Sequence, residues 1–367
     1  MFLLIRDHDV QLISRIIAAG IVSIVAYLVV NIFNPIRPLD YSEEMIEAAR
    51  LMERAVTATG DYRDVSGTGI DEAVDPNRTG LIGPAMSGLM TTVGYLEAKR
   101  TTTNPDISSL IVHLLRHAGA AGGDTIAVGC SASFPALMIA ALAAAEAMGI
   151  HPVVIISLGA SSYGATDPDF NLLDMYRLLL GRGIFNNPPA AVSLGGDRDI
   201  GEDFEEELKE QLIRRIESLG TPLIYEPDLQ ENVALRMGIY GAGAGRSRIA
   251  AFVNIGGGYA NLGVSQLALD LRPGLNTRIS IPPEEERGVL FEMAAHGVPA
   301  IHLLYIRGLA STYGLPWDPI PLPGPGETIL VELHSRKGIL FWSTAGFYFA
   351  VMFLLIAFRD VKMPGSG

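Results

Sequence analysis

Cysteine occurs once in the 367 residues, at Cys130. A single thiol excludes a disulfide framework and any zinc or iron–sulfur site built on cysteines. Basic residues are the scarcer charge: 27 Lys+Arg stand against 40 Asp+Glu, a net charge of −13. That deficit argues against a nucleic-acid partner, which needs a basic stripe. Charged residues of both signs make up only 18%, and 49% of the chain is hydrophobic, so global disorder is excluded. Mean hydropathy is +0.30, high for so acidic a chain. The length allows two domains, or one large domain with attachments.

The excess hydropathy lies at the two ends. Ile16 to Val30 is apolar apart from Ser23, and Leu12, Ile13, Ile32 and Phe33 extend the run. The span is roughly 20 residues, the length that crosses a bilayer core of ~30 Å. Gly338 to Phe358 contains no charge, carries Phe341, Trp342, Phe347, Tyr348, Phe349 and Phe353, and is flanked by Arg336, Lys337 and Arg359. Interfacial aromatics and flanking cations mark a second transmembrane helix. A cleaved leader is the alternative for the first run, but the exit Asn31-Ile32-Phe33-Asn34-Pro35 offers no small-x-small cleavage site. Two spans put both termini on one side. Arg6, Arg15, Arg359 and Lys362 against Arg37, Arg336 and Lys337 narrowly favour cytoplasmic termini and an extracytoplasmic middle domain. The expected organisation is an anchor over 1–37, an α/β domain over 38–314, a Pro-rich tether over 315–337, and a transmembrane helix with tail over 338–367.

Between Pro38 and Lys337 stand 22 Lys+Arg and 37 Asp+Glu, so the middle region carries −15. It opens on a helical pattern, with Ser42 as cap, Met45, Ala48, Ala49, Met52 and Val56 on one face, and Gly60 as stop. Apolar strands are predicted at 125–129, 152–158, 191–194, 223–225, 251–255 and 300–304. Helices are predicted at 107–118, 134–148, 172–180 and 204–219. Such alternation predicts βαβ units: a mostly parallel sheet with helices on both faces. Asp318 to Gly326, rich in proline, reads as extended chain.

Parallel sheets bind ligands at the carboxyl ends of their strands. The loop after the first central strand, Gly129-Cys130-Ser131-Ala132-Ser133, faintly resembles a nucleophile elbow centred on Ser131, with Ser where the second Gly stands. Helix capping by Ser131 or Ser133 is the competing account. The next loop, Gly159 to Asp169, offers Ser161, Ser162 and Asp167; there the carboxylates compete with a turn role. Upstream, Glu97, Lys99, Arg100, Thr101 and Asn104 form either an anion clamp or a solvated surface turn. Asn254-Ile255-Gly256-Gly257-Gly258-Tyr259 resembles a phosphate loop of actin-like ATPases but lacks the acid that would organise magnesium; a tight turn accounts better for its glycines. His113 and His117 are spaced i, i+4 without a third ligand. No metal ligands or cofactor-binding residues are singled out, and the identity of any cofactor stays open.

Five segments carry a family resemblance: Thr79 to Pro84, Leu96 to Pro105, Ser133 to Leu137, Gly159 to Ala165 and Tyr313 to Pro319. They resemble, in order, segments of the poly-γ-glutamate system protein family, over about Thr79 to Pro325. The resemblance implies an accessory membrane component of the bacterial apparatus for poly-γ-glutamate synthesis, export or retention at the cell envelope, as in capsules. It implies the synthase membrane subunits as partners beside the lipid bilayer. Two enzymatic alternatives stand next to it. One is a hydrolase or transferase of γ-glutamyl amide bonds, with Ser131 or Ser133 as nucleophile and Lys99 as base. The other is an ATP-binding enzyme. A domain at −15 repels a polyanion at long range, so polymer binding calls for bridging divalent cations or a local cationic patch, with Lys99 and Arg100 first and Arg246 and Arg248 next.

Overall fold

A computed structural model describes residues 7–33, 39–66, 69–328 and 339–357. The chain divides into two compact units: Met1–Leu39 with Val331–Gly367, and Asp40–Leu330.

The first unit is a pair of helices, α1 (Asp7–Phe33) and α12 (Ile339–Ala357), of 27 and 19 residues. They pack on each other, and Ser23 Oγ lies 3.2 Å from Tyr348 OH. Large apolar side chains point away from the pair, among them Ile16, Ile17, Ile21, Ile24, Trp342, Phe347 and Phe353. Among the described residues, no helix is long and apolar enough to cross a membrane. The exit from the first apolar run, 34–37, and the flanking cations of the second lie outside the described residues.

The second unit is the α/β domain. In chain order it comprises α2 (Ser42–Ser66), β1 (Met90–Thr92), α3 (Leu96–Thr102), α4 (Asp106–His117), β2 (Thr125–Ser131), α5 (Pro135–Met148), β3 (His151–Ser157) and β4 (Ala160–Ser161). There follow α6 (Leu172–Gly181), β5 (Ala191–Ser193), α7 (Glu206–Ser218), β6 (Leu223–Ile224), α8 (Leu229–Ala244), β7 (Ile249–Ile255) and α9 (Tyr259–Leu262). β8 (Gly274–Asn276), α10 (Val289–Ala295), β9 (Ala300–Leu303) and α11 (Ile306–Tyr313) complete it. The main sheet has the order β6-β5-β3-β2-β7-β9-β8, parallel except for β8 against β9; β1 and β4 form a small parallel pair. The chain begins this sheet at its centre with β2, builds outward through β3, β5 and β6, then returns to β7 on the other side of β2. The direction of growth therefore reverses between β2 and β7, the place where open parallel sheets bind ligands.

Both faces are covered, so every residue of β2 is buried. On one face α5 lies under α2 and α4. Its sequence is apolar apart from Glu146, near its exposed end, because the rest of the helix is enclosed. On the other face α8 and α10 close a core with Val153, Ile155, Tyr240, Phe252 and Phe291.

The predicted strands and helices recur with boundary shifts of one or two residues. β1, β4, α3, α8, α9, β8, α10 and α11 add to them. Two expectations are corrected. Gly60 does not stop α2, which runs through it to Ser66. This glycine serves a close approach: a Cβ there would lie 2.4 Å from Arg78 O. The Pro-rich stretch is not a free tether over its described part. Asp318, Gly326 and Thr328 are hydrogen-bonded to the domain, and Asn77 Nδ2 donates to Pro319 O at 2.9 Å. Residues 329–337 lie outside the described residues.

Alanine in a helix normally stabilises relative to glycine by about 0.5–1 kcal/mol. Gly60→Ala should instead destabilise by about 1–3 kcal/mol, the cost of overpacking. Chemical denaturation checks the sign; a stabilised variant contradicts the contact.

Candidate functional site

A cleft of about 1250 Å³ opens at the carboxyl ends of the parallel strands. Ser131 ends β2, Ser157 ends β3, Gly195 to Asp199 follow β5, Gly257 to Tyr259 follow β7, and Leu304 to Arg307 follow β9; all of these stretches border it. The β1 loop, through Gly94 and Tyr95, and α3 form the opposite wall.

The decisive residue is Lys99. It sits on α3 at 2% exposure, facing inward, and among the described residues no carboxylate pairs with it. Its Nζ lies 2.6 Å from Ser161 Oγ, donates to Ser133 O, and stands 3.8 Å above the centre of the Phe134 ring. Burial disfavours the ammonium and pushes its pKa down to about 7. A neutral amine exposes a lone pair that accepts the Ser161 hydroxyl proton. Ser161 is held in turn from the backbone, its N–H donating to Ser133 Oγ at 3.0 Å. β4 exists for this placement: the pairing of β1 with β4 puts Met90 opposite Ala160 and Thr92 opposite Ser161. Ser133 and Phe134 line the same cleft, and their N–H groups have no acceptor among the described residues.

This geometry changes the assignment of the nucleophile. Ser133 supplies its carbonyl oxygen, not its hydroxyl, to Lys99. The Ser131 hydroxyl touches no base and has no partner among the described residues. The hydroxyl beside the amine is that of Ser161.

Of the ten residues singled out by sequence, Glu97, Lys99, Ser131, Ser133 and Ser161 line the cleft. The other five are engaged elsewhere. Arg100 is not a cation open to ligand; it forms a two-point ion pair with Asp318, its Nε 2.6 Å from Oδ1. Thr101 Oγ1 accepts from Asp318 N–H at 2.9 Å. Asn104 is fully buried and accepts from Asp106 N–H at 3.0 Å. Ser162 Oγ donates to Met90 Sδ at 3.3 Å. Asp167 pairs with Arg63 at 3.0 Å. A surface patch of Lys99 and Arg100 is therefore not formed, and the stretch 97–104 is neither a solvated turn nor an open clamp. Arg248 pairs with Asp124 at the amino ends of the strands, away from the cleft.

The cleft floor beneath β3 and β5 is a closed polar network. Asp199, left-handed at φ 66°, accepts from Ser193 Oγ at 2.8 Å, Asn232 Nδ2 at 3.1 Å and Arg236 Nη2 at 2.5 Å. Both carboxylate oxygens are satisfied, so Asp199 holds the floor rather than acting as a free base. At Asn254, the position of the missing acid in the ATPase-like motif, the side-chain nitrogen donates to Gly256 O and lies 3.0 Å from His302 Nδ1. His302 is buried and held neutral, its pKa pushed down to about 4 by desolvation. His113 is likewise held near 4 and lies 2.8 Å from Tyr41 OH. No cluster able to hold a metal is found among the described residues. The lone Cys130 is fully buried, its thiol pKa raised by desolvation.

Sequence reasoning missed Asp197, Asp203, Tyr259, Arg307 and Trp317, all of which line the cleft. Arg307 lies over the Trp317 ring at 5.5 Å. Three of the five were within reach of the carboxyl-end rule, had it been applied to β5 and β9 as it was to β2 and β3: Asp197, Asp203 and Arg307 follow those strands.

Comparison with protein families, curated proteins and solved structures returns no match.

The depressed lysine makes stability depend on pH. Between pH 7 and about 10.5 the unfolded chain binds a proton at Lys99 that the folded chain does not, so folding becomes more favourable as pH rises through that window. Lys99→Met removes the buried charge. Its gain in melting temperature over wild type should be larger at pH 6 than at pH 9, by thermal denaturation; an equal gain at both contradicts the burial argument.

Proposed function

We propose that this chain is a membrane-anchored acyl-transfer enzyme of the bacterial poly-γ-glutamate apparatus, hydrolysing or transferring γ-glutamyl amide bonds with Ser161 as nucleophile and Lys99 as base. The observation that carries it is the 2.6 Å approach of a buried lysine, unpaired with any carboxylate among the described residues, to a serine hydroxyl in the main cleft. Ser161 Oγ adds to the amide carbonyl as its proton passes to Lys99 Nζ; the C–N bond then breaks and Lys99 returns that proton to the leaving amine. Water or an acceptor amine opens the acyl-serine by the reverse sequence. The N–H groups of Ser133 and Phe134 are the available donors for the oxyanion.

The choice of polymer rests on the five segments that resemble the poly-γ-glutamate system family. The charge of the region sets a condition on it. At −15, with Glu97, Asp197 and Asp203 around the cleft, the domain repels a long polyanion. A short γ-glutamyl end, or a polymer screened by divalent cations, meets that condition. The same resemblance supports the synthase membrane subunits as partners. A non-catalytic accessory role lacks an explanation for a buried lysine beside a serine.

The membrane reading rests on α1 and α12. Their outward side chains are large and apolar, and an apolar surface of that kind on a helix pair suits lipid. Two spans would leave both termini on one side, and the count of four flanking cations against three favours the cytoplasm for them and an extracytoplasmic α/β domain.

Purified full chain in detergent, given poly-γ-glutamate, should shorten it or transfer it to an added amine, read by size-exclusion chromatography. Ser161→Ala and Lys99→Met should each lower kcat/KM by at least ~10²-fold, and the wild-type profile should rise with pH around 7. An inactive wild type, or an active Ser161→Ala, would sink the reading. Protease added to intact cells should reach the α/β domain; protection would reverse the topology.

A further inference from the structure

Beside Ser161 the cleft contains a second polar centre that acyl transfer does not use. It lies where the sheet reverses its direction of growth. β2 ends there in Ser131, and its neighbour β7 runs out into Gly256, Gly257 and Gly258. Ser131 is 5% exposed, borders the cleft, and its Oγ has no hydrogen-bond partner among the described residues. A buried hydroxyl left in that state costs about 1–3 kcal/mol. The opposing backbone is shaped around it. Gly256 has φ 82°, and a Cβ built on it would stand 2.1 Å from Ser131 Oγ, so any side chain at 256 would cover the hydroxyl. The next two residues, Gly257 and Gly258, also line the cleft, and their N–H groups have no acceptor among the described residues. One buried hydroxyl without a partner and two amide donors at the cleft surface, with no carboxylate in contact among the described residues, suit an anionic oxygen pair.

We infer that Ser131 with the Gly256–Gly258 backbone forms a subsite for a free carboxylate of the acyl donor. The inference rests on the acyl-transfer reading of Ser161 and names what that site recognises. In a γ-linked glutamyl chain the α-carboxylate hangs free, three carbons from the amide carbonyl under attack. A donor subsite next to the nucleophile then reads a free carboxylate at that spacing; the γ-carboxylate of an α-linked chain stands equally far from its amide, so the subsite selects glutamyl donors and not the linkage. The Ser131 hydroxyl is thus a binding group for the donor, not the attacking nucleophile.

The test uses the full chain in detergent with Ser161→Ala, so that nothing turns over, and isothermal titration calorimetry as readout. The probes are tri-γ-glutamate and the same peptide with its α-carboxylates converted to primary amides. The acid should bind at least ~10-fold tighter than the amide. Adding Ser131→Ala should cut that preference to about twofold or less. The melting temperature of Ser131→Ala should be unchanged or higher, since the lost hydroxyl had no partner. Equal binding of acid and amide, or a preference that survives Ser131→Ala, overturns the subsite. Binding here does not depend on catalysis. A wild type without turnover, alongside a Ser131-dependent preference, would remove only the acyl-transfer reading; wild-type turnover without that preference would remove only the subsite.

Discussion

The burial of the Lys99 ammonium without a paired carboxylate is the constraint on which the rest of the site depends. Water would solvate that charge well, and burial takes the water away. What replaces it is one carbonyl oxygen, one hydroxyl and the face of Phe134. These contacts do not restore the stability of the charged form, so the amine titrates near neutrality. A lysine tuned in this way can take a proton from a hydroxyl at physiological pH, which an ordinary surface lysine cannot.

Such a residue needs a rigid support, and α3 alone is only seven residues long. The following stretch of chain supplies it. Arg100 and Thr101, next to Lys99, are fastened to Asp318, while Asp106 at the start of α4 accepts from Gly326 N–H and Thr328 N–H, each at 2.7 Å. The Pro-rich stretch is therefore a strap across the back of α3. Prolines suit that task because a chain with fixed φ loses little entropy when it docks. On the other side of the cleft the Asp199–Arg236 network keeps β3, β5 and α8 in register. Ser161 and Lys99 thus sit between two hydrogen-bonded walls.

The parallel sheet was legible because its central strands are short apolar runs and its helices end at glycines. β2, β3, β5, β6, β7 and β9 all follow that grammar. The pieces that escaped were short or ambiguous. β1 and β4 have three and two residues, too few for any periodicity. α8 ends in a glycine-rich stretch that reads as loop, yet Gly243 lies against Val153, so small residues there let the helix sit close on the sheet. In the site, Ser131, Ser133 and Ser161 were read from the loops after β2 and β3, and Lys99 from a cluster of charges and hydroxyls over 97–104. Which serine meets the lysine was not readable, because it depends on β1 pairing with β4 across nearly seventy residues of sequence. Arg100 looked like a ligand cation because its partner, Asp318, is more than two hundred residues away. Of the cleft residues that escaped, Asp197, Asp203 and Arg307 stand after β5 and β9, where strand position alone points to them, while Trp317 meets the cleft only through the fold.

The chemistry of the cleft turns on Ser161 being activated by Lys99. The direct measurement is labelling of the full chain by a serine-reactive fluorophosphonate, with the modified residue located by peptide mass spectrometry across a pH series. The account predicts modification at Ser161, with a rate that rises through a midpoint near pH 7 and vanishes in Lys99→Met. Modification at Ser131 or Ser133 instead, or labelling of Ser161 indifferent to both pH and Lys99, would contradict it.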